Sequence, residues 1–442
     1  MKSGRKLLSL VLASASILCG SPSRASLQPE LRGMKTESVS IDQAMNETLL
    51  QSPRAASLRM QLGIAKSAIV RATELPNPSL MMDNGYKAEF TYRYGVSIPI
   101  EPPWKMALRL LAAKNQVRLA DLQIAKGLWA LRGDIRRAYT QAVIAQEKLE
   151  MQNELTELYD KLLTSTQARL RQGDVAELDV YKAELAHQKA LINRELASNQ
   201  VVQTKRSLSV LLGREYTAVY DVAKLPIFQL KAEKLDYLPD LETSLPELSK
   251  LMQKALESRL ELRIVDQTIK TNGANLKVAY GNIIQNPTIG VGSSVVNGPE
   301  LQPGFTPGTK NVFRGFFFQG SIPIPIFSFQ QGDVSQFRAM IKQLKSEQET
   351  QKNIVKQEIV QAYQAVSMQR QRIQTFQQKA LQRSSEIARL SQKSYEIGQS
   401  DIASVLLAQQ ANVEVRTEYL DAVNLYEIAY TDLEQATGSV LY

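Results

Sequence analysis

One histidine, His187, and one cysteine, Cys19, are all that 442 residues offer for imidazole or thiol chemistry. A histidine-based hydrolytic triad needs its base beside a nucleophile and a carboxylate behind it. His187 instead falls mid-way along a polar helical stretch, where an exposed side chain is expected rather than a metal ligand. No Walker or dinucleotide-binding glycine motif occurs. Carboxylates abound on the helices, but none sits in a recognisable cleft-forming loop. These residues predict no enzyme, no cofactor and no metal site. The remaining chemistry is that of surfaces, set by which side chains face lipid, water or another helix.

The termini and the charge bound the class. Met1 to Lys6 carries positive charge, Leu7 to Cys19 is an uncharged apolar run, and Ser23-Arg24-Ala25 fits a small-x-small cleavage site. Residues 1–25 therefore read as a secretory signal peptide. The run is too short to span a membrane as a helix, which takes about 20 residues. Cys19 allows a lipoprotein reading, although Leu18 stands where lipid attachment favours a small residue. The whole chain carries +9, and removing Lys2, Arg5, Lys6 and Arg24 leaves four fewer, +5. Lys and Arg alternate with Glu and Asp along the helices, which reads as a solvated face and predicts no nucleic-acid partner. After residue 25 no apolar stretch is long enough for a spanning helix, so any membrane insertion must use strands.

The elements come in two copies. Gly173 and Gly213 lie 40 residues apart, as do Gly398 and Gly438. Ser97-Ile98-Pro99-Ile100 recurs as Ser321-Ile322-Pro323-Ile324, and Ile135 to Tyr139 recurs as Ile359 to Tyr363, at offsets of 224 or 225 across the set. Asn77-Pro78 recurs as Asn286-Pro287 at an offset of only 209, so the second copy carries a longer loop in its hairpin. Each copy reads as helix, hairpin, very long helix, tight turn, long helix. Residues 26–215 form the first repeat, with a hairpin at 78–100 and helices at 104–171 and 174–213. Residues 216–244 are a Pro-punctuated linker. Residues 245–442 form the second repeat, with a hairpin at 287–324 and helices at 334–397 and 400–437. The opening helices are expected from Ser40, a candidate N-cap, to just before Pro76, and from Leu245 to Ile284. The longest helices should reach about 90–100 Å at 1.5 Å per residue. Their apolar positions step by three and four, as in Leu128, Leu131, Ile135, Ala138 and Ala142, which is heptad packing with small residues in the seam.

The strands carry the sharpest pattern. From Ala88 to Ile100 the even positions, including Phe90, Tyr92, Tyr94, Val96 and Ile98, are apolar or aromatic, whereas the odd ones are mostly polar or small. In the second hairpin Phe316, Phe318 and Ile322 share one face and Gln319 and Ser321 the other. Such alternation suits a tilted membrane strand with lipid outside and water inside, and equally a half-buried soluble sheet. The signal peptide and the long helices favour the membrane. Two hairpins give four strands, a membrane barrel needs about eight, and open edges in lipid are not tolerated. Several chains must then close one barrel. The fold class expected is mixed α and transmembrane β, an internally duplicated subunit with coiled-coil-like helices and four strands for a shared barrel.

The duplication, the Asn-Pro hairpin openings, the Pro-containing strand ends and the paired Gly turns together resemble the TolC-type outer-membrane efflux proteins over about residues 40–440. That resemblance implies a homotrimer with a twelve-strand barrel in outer-membrane lipid and a helical barrel reaching into the periplasm. A periplasmic adaptor and an inner-membrane transporter would be its partners in a passive export duct. It implies that Gly173, Asp174, Gly398, Gln399 and Ser400 form the adaptor-docking tip, where Gly adopts positive φ without steric cost. It implies that Tyr395, three residues before Gly398, pairs with Asp179, six after Gly173, as an aperture latch of about 1–3 kcal/mol; Asp179 could equally be a solvated helix charge. Where some members place aspartates in the second tip helix this chain has Ser404 and Leu407, which puts an acidic ring in doubt. Ile100 to Lys105 is similar to the hairpin exit of the heavy-metal branch. A soluble periplasmic adaptor and a type I secretion duct remain the competing readings.

Overall fold

The computed structural model describes residues 37–84, 92–214, 228–230, 241, 244–297 and 312–441. The leader at 1–25, Cys19, Phe90 and most of 216–244 fall outside these. In chain order the elements are β1 (Glu37–Val39), α1 (Ile41–Gln51), α2 (Pro53–Thr73), β2 (Ser79–Asn84), β3 (Tyr92–Pro99), α3 (Pro103–Gln172), α4 (Glu177–Leu212) and β4 (Phe228–Leu230). The second half follows as α5 (Leu248–Ser258), α6 (Leu260–Gly281), β5 (Thr288–Asn297), β6 (Val312–Ser321), α7 (Gln331–Thr375), a π turn (Phe376–Ala380), α8 (Leu381–Glu396) and α9 (Ile402–Thr437).

Ser40 opens α1 with a capping box, its hydroxyl accepting from the Gln43 amide while the Gln43 side chain accepts from the Ser40 amide. The single helix expected from Ser40 to Pro76 is instead two, because Pro53 has no amide to continue the ladder. Ser52 caps the new start, accepting from the Ala55 amide at 3.2 Å, and Arg59 donates to the released carbonyls of Leu49 and Leu50. The counterpart expected over 245–284 is also broken, at Arg259, without a proline. Arg259 holds that break through Glu261 at 2.7 Å and the Ala436 carbonyl at 3.0 Å, and pairs with Glu358 as well. In both copies the final glycine, Gly213 or Gly438, caps the last helix at positive φ and lies against the break. A Cβ there would meet Pro53 at 2.5 Å in the first copy and Arg259 at 3.2 Å in the second. Only glycine fits both the conformation and the approach.

α3 runs unbroken for 70 residues, roughly 105 Å. Its counterpart is not continuous, and the reason is arithmetic. The duplication offset is 224 up to Tyr139 and Tyr363 but 225 at Gly173 and Gly398. One extra residue therefore lies between, and the π turn at Phe376–Ala380 absorbs it, with the Leu381 amide donating to the Phe376 carbonyl five residues back.

α2, α3, α6 and α7 lie side by side, with α4 on α3, and α9 on α7 and α8. Leu131, Ile135 and Tyr139 pack with Leu208 and Leu212 in the first copy. Val355, Ile359, Val366 and Ile373 pack with Val423, Tyr426 and Leu433 in the second. The sheet has the order β2-β3-β5-β6, all antiparallel, so among the described residues neither edge strand has a further partner within the chain.

Candidate functional site

The register assigns every strand residue to a face, since residues paired across antiparallel strands point the same way. One face carries Leu80, Met82, Tyr92, Tyr94, Val96, Ile98, Ile289, Val291, Phe316 and Phe318. All are exposed, Phe316 at 90% and Phe318 at 84%. The opposite face carries Ser79, Asp83, Arg93, Ser97, Gln319 and Ser321 around a row of small residues. In that row Phe317 lies opposite Gly292 and Met81 opposite Gly95, and the Arg93 guanidinium stacks 5.7 Å from the Phe317 ring. Apolar side chains thus dominate the outward face, which also carries Ser293 and, toward the loop end, Arg314, while most hydrogen-bonding groups share the other face. Such a sheet suits hydrocarbon on one side and water on the other.

Below the sheet the apolar surface continues. Ile322, Ile324, Ile326, Phe327 and Phe329 are exposed, and so is Trp104 at the start of α3. The alternation reached Ile322 and the hairpin was expected to end at residue 324, so Ile326, Phe327 and Phe329 were missed; the run Ile322-Pro-Ile-Pro-Ile-Phe-Ser-Phe was their signal. Aromatic side chains at this level fit a membrane–water boundary.

The far end is a pair of tight turns about 100 Å along α3. Gly173 and Gly398 sit at φ 83° and 77°. Asp174 and Gln399 donate their amides back to the Arg169 and Ser394 carbonyls, closing Schellman-type ends. After Ser400, Asp401 caps α9 by accepting from the Ser404 amide at 3.1 Å, and these Ser404 bonds lower its pKa.

The structure does not bring Tyr395 to Asp179. Tyr395 is 3% exposed, and its hydroxyl shares a 2.8 Å hydrogen bond with Thr166 on α3. Arg169 donates to the Tyr395 carbonyl at 3.0 Å and covers its ring at 4.8 Å. Asp179 lies in the first turn of α4 and accepts from Lys182 at 3.1 Å. The reason is one of seams: Tyr395 enters the cluster of Tyr159, Leu162 and Val405, beside which α3 presents Thr166. The contact between the two tip coils is therefore Thr166–Tyr395–Arg169. Thr166 was hidden in the sequence because it looks like any small seam residue.

Two further findings concern charge. His187 is only 17% exposed at its side chain, 3.9 Å from Asp160, which corrects the exposed position expected for it. Midway along the helices, Arg136 pairs with Glu427 and, at 3.2 Å, with Glu434, which Arg132 also reaches at 2.8 Å. Burial pushes the Glu427 carboxyl upward against the opposing pull of Arg136. Among the described residues no group of three or more His, Cys, Asp or Glu is placed to hold a metal, and no helix is long and apolar enough to cross a membrane.

Comparison with known proteins gives a consistent answer. The profile of the family described as outer membrane efflux protein matches residues 47–214 and 251–439, one stretch per copy. The chain is 23% identical over 386 residues to the cobalt-zinc-cadmium resistance protein CzcC of Cupriavidus metallidurans, covering 86% of this chain and 85% of the relative. Its fold is similar to that of CusC, with a TM-score of 0.68 at 15% identity over 93% of this chain and 96% of that one. It is also similar to the Campylobacter jejuni CmeC outer membrane channel, with a TM-score of 0.67 at 14% identity over 90% of this chain and 85% of that one.

Proposed function

Because the chain belongs to the outer membrane efflux protein family, we propose that its copies join edge to edge as a homotrimer, closing a twelve-strand barrel around one export duct. The protein is an outer-membrane channel that extends into the periplasm and completes a tripartite efflux system. The family is one of channels, not of enzymes. The observation that carries the assembly is the four-strand sheet with an uncovered apolar face and two unpaired edges. Four strands cannot close, and unpaired backbone in lipid costs several kcal/mol per group. Three copies give twelve strands, a cylinder wide enough to hold an aqueous passage.

In this reading the helices carry the passage through the periplasm, and the Gly173-Asp174 and Gly398-Gln399-Ser400 turns meet the adaptor that links the duct to an inner-membrane transporter. The Thr166–Tyr395–Arg169 contact holds the tip closed until docking separates the coils. Transport is passive, driven by the pump behind it. The test is direct. Outer-membrane fractions should yield an oligomer that needs detergent, and this should insert into planar bilayers as a channel. A detergent-free monomer in the periplasmic extract would instead select the soluble adaptor reading.

The name of the Cupriavidus relative favours metal cations as cargo over peptides or proteins. A strain lacking the chain should lose resistance to cobalt, zinc or cadmium; unchanged metal tolerance with lost export of a protein would favour the secretion duct.

A further inference from the structure

The chain contains its own template for the contact between neighbouring copies. The two hairpins are related by two shifts, 209 residues from β2 to β5 and 224 from β3 to β6. Applied to the pair Ser79–Ser97 in the first hairpin, these shifts give Thr288–Ser321, which is the pair found in the second. The duplication therefore holds at the level of strand register. The chain also contains one seam between its halves, where β3 pairs with β5 as Ser97–Gly290, Val96–Val291 and Ile98–Ile289. The equivalent seam, β6 with the next β2, has no occupant among the described residues of the chain.

We infer that the β2 edge of one copy pairs with the β6 edge of the next in the register of the internal seam, so that Ser321 lies opposite the neighbour's Met81. The same shifts set Ile322 opposite Leu80, Gly320 opposite Met82 and Gln319 opposite Asp83. Each pair also matches in face: Ser321, Met81, Gln319 and Asp83 lie on the polar side, and Ile322, Leu80, Gly320 and Met82 on the apolar side. A slip by one residue would set polar against apolar along the whole edge.

The helices say the same independently. α6 lies between α3 and α7, whereas α2, its counterpart, packs chiefly on α3, with lesser contact to α1. Met60, Ile64 and Val70 form an exposed stripe on α2, whereas α6 buries Leu262, Gln267, Thr271, Ala274 and Ala279. Val70 is 64% exposed and Ala279 4%. On α7, Ala339 and Gln343 are exposed where the matching Asn115 and Leu119 of α3 are half-buried beside α6. The open stripe of α2 and the open stripe of α7 are thus the two sides of a repeated α3–α6 seam. The occupant of both the sheet edge and the helix stripe is a second copy of this chain.

This inference rests on the proposed barrel, and the test separates the two. Chains carrying Ser321→Cys with Met81→Cys are oxidised in isolated outer membranes and compared with Ser321→Cys with Asp83→Cys, which lies two residues out of register on the same face. β2 and β6 stand three strand spacings apart in one chain, about 14 Å, too far for an internal disulfide. The first pair should give covalent dimers and trimers on non-reducing gels, at least tenfold more than the second; the parent chain, with no cysteine beyond Cys19 of the leader, should give none. Native gels on the same membranes report assembly. Assembled oligomers that cross-link best through Asp83→Cys, or through neither pair, overturn the register while leaving the barrel reading in place. Variants and parent that are all monomeric in detergent overturn both.

Discussion

Replacing Tyr395 by phenylalanine removes one hydroxyl from the tip and leaves the ring, so it isolates the contact proposed to hold the duct closed. The lost bond is the 2.8 Å link to Thr166. Thr166 keeps its second partner, the Leu162 carbonyl at 2.8 Å, so no buried hydroxyl is orphaned. The net loss is then about 0.5–1.5 kcal/mol per chain. If three copies open together, the aperture loses about 1.5–4.5 kcal/mol, which raises the opening constant roughly ten- to a thousandfold. Arg169→Ala should act in the same direction, because it removes the bond to the Tyr395 carbonyl and a cation–π contact worth about 0.5–1 kcal/mol. Asp179→Ala breaks only a helix-surface pair with Lys182, worth about 0.3–0.5 kcal/mol, and should leave the tip closed. Open probability in planar bilayers at fixed voltage measures all three, and Thr166→Val in the Tyr395→Phe background should add little. An Asp179→Ala channel as leaky as Tyr395→Phe, or a Tyr395→Phe channel that stays shut, would refute the assignment.

Other expectations follow from the same geometry. Phe318→Arg places a charge on the apolar face at about 2–4 kcal/mol if it sits near mid-membrane, and should abolish outer-membrane oligomer, whereas Gln319→Arg on the opposite face should assemble normally on native gels. Glu427→Gln strips the main partner from buried Arg136 and should lower stability by about 3 kcal/mol per chain, read as a lower urea midpoint. Burial pushes the Tyr139 phenol up to about 12, while an unfolded tyrosine ionises near pH 10. A raised folded pKa contributes stability fully below about pH 10 and loses it as pH climbs toward 12, at about 1.4 kcal/mol per unit, and Tyr139→Phe should flatten that part of the alkaline unfolding curve. Deleting Gln378 should restore an unbroken α-helix and leave assembly intact, whereas deleting Gln152 from α3 should rotate everything beyond it by about 100° and destroy the closed tip.

What could be read from the sequence was what repeats. Strand parity showed from Tyr92 to Ile98 because one residue in two faces away, and the glycine pairs showed because only glycine caps a helix at positive φ without cost. The breaks were hidden for different reasons. Pro53 was visible, yet its effect depended on Ser52 and Arg59 being able to receive the freed groups. Arg259 was hard to see because, apart from nearby Glu261, its partners Glu358 and Ala436 come from residues about a hundred or more positions away. The family resemblance implied Asp179 as the partner of Tyr395, whereas its hydroxyl meets Thr166, because a position relative to two turns does not say which seam a buried ring will enter.

The one-residue shift from 224 to 225 bears on how the tip can move. An uncompensated insertion would turn the far third of α7–α8 by about 100° and carry Tyr395 away from Thr166. The π turn cancels that rotation locally, with Phe376 against Tyr419 at 6.4 Å, so the two coils reach the tip in phase despite unequal length. Above the tip the cores are deep, and α3 is tied to the second copy by Ile144 and by the Arg136–Glu427 and Arg136–Glu434 pairs. At the tip the coils share only a thin cluster around Tyr395, Leu162 and Val405. In the proposed gate, a smaller shared cluster at the tip than above it lets the coils part there first. The opening is then governed by a few hydrogen bonds at that seam, and the π turn at Phe376–Ala380 is what keeps those bonds aligned despite the extra residue.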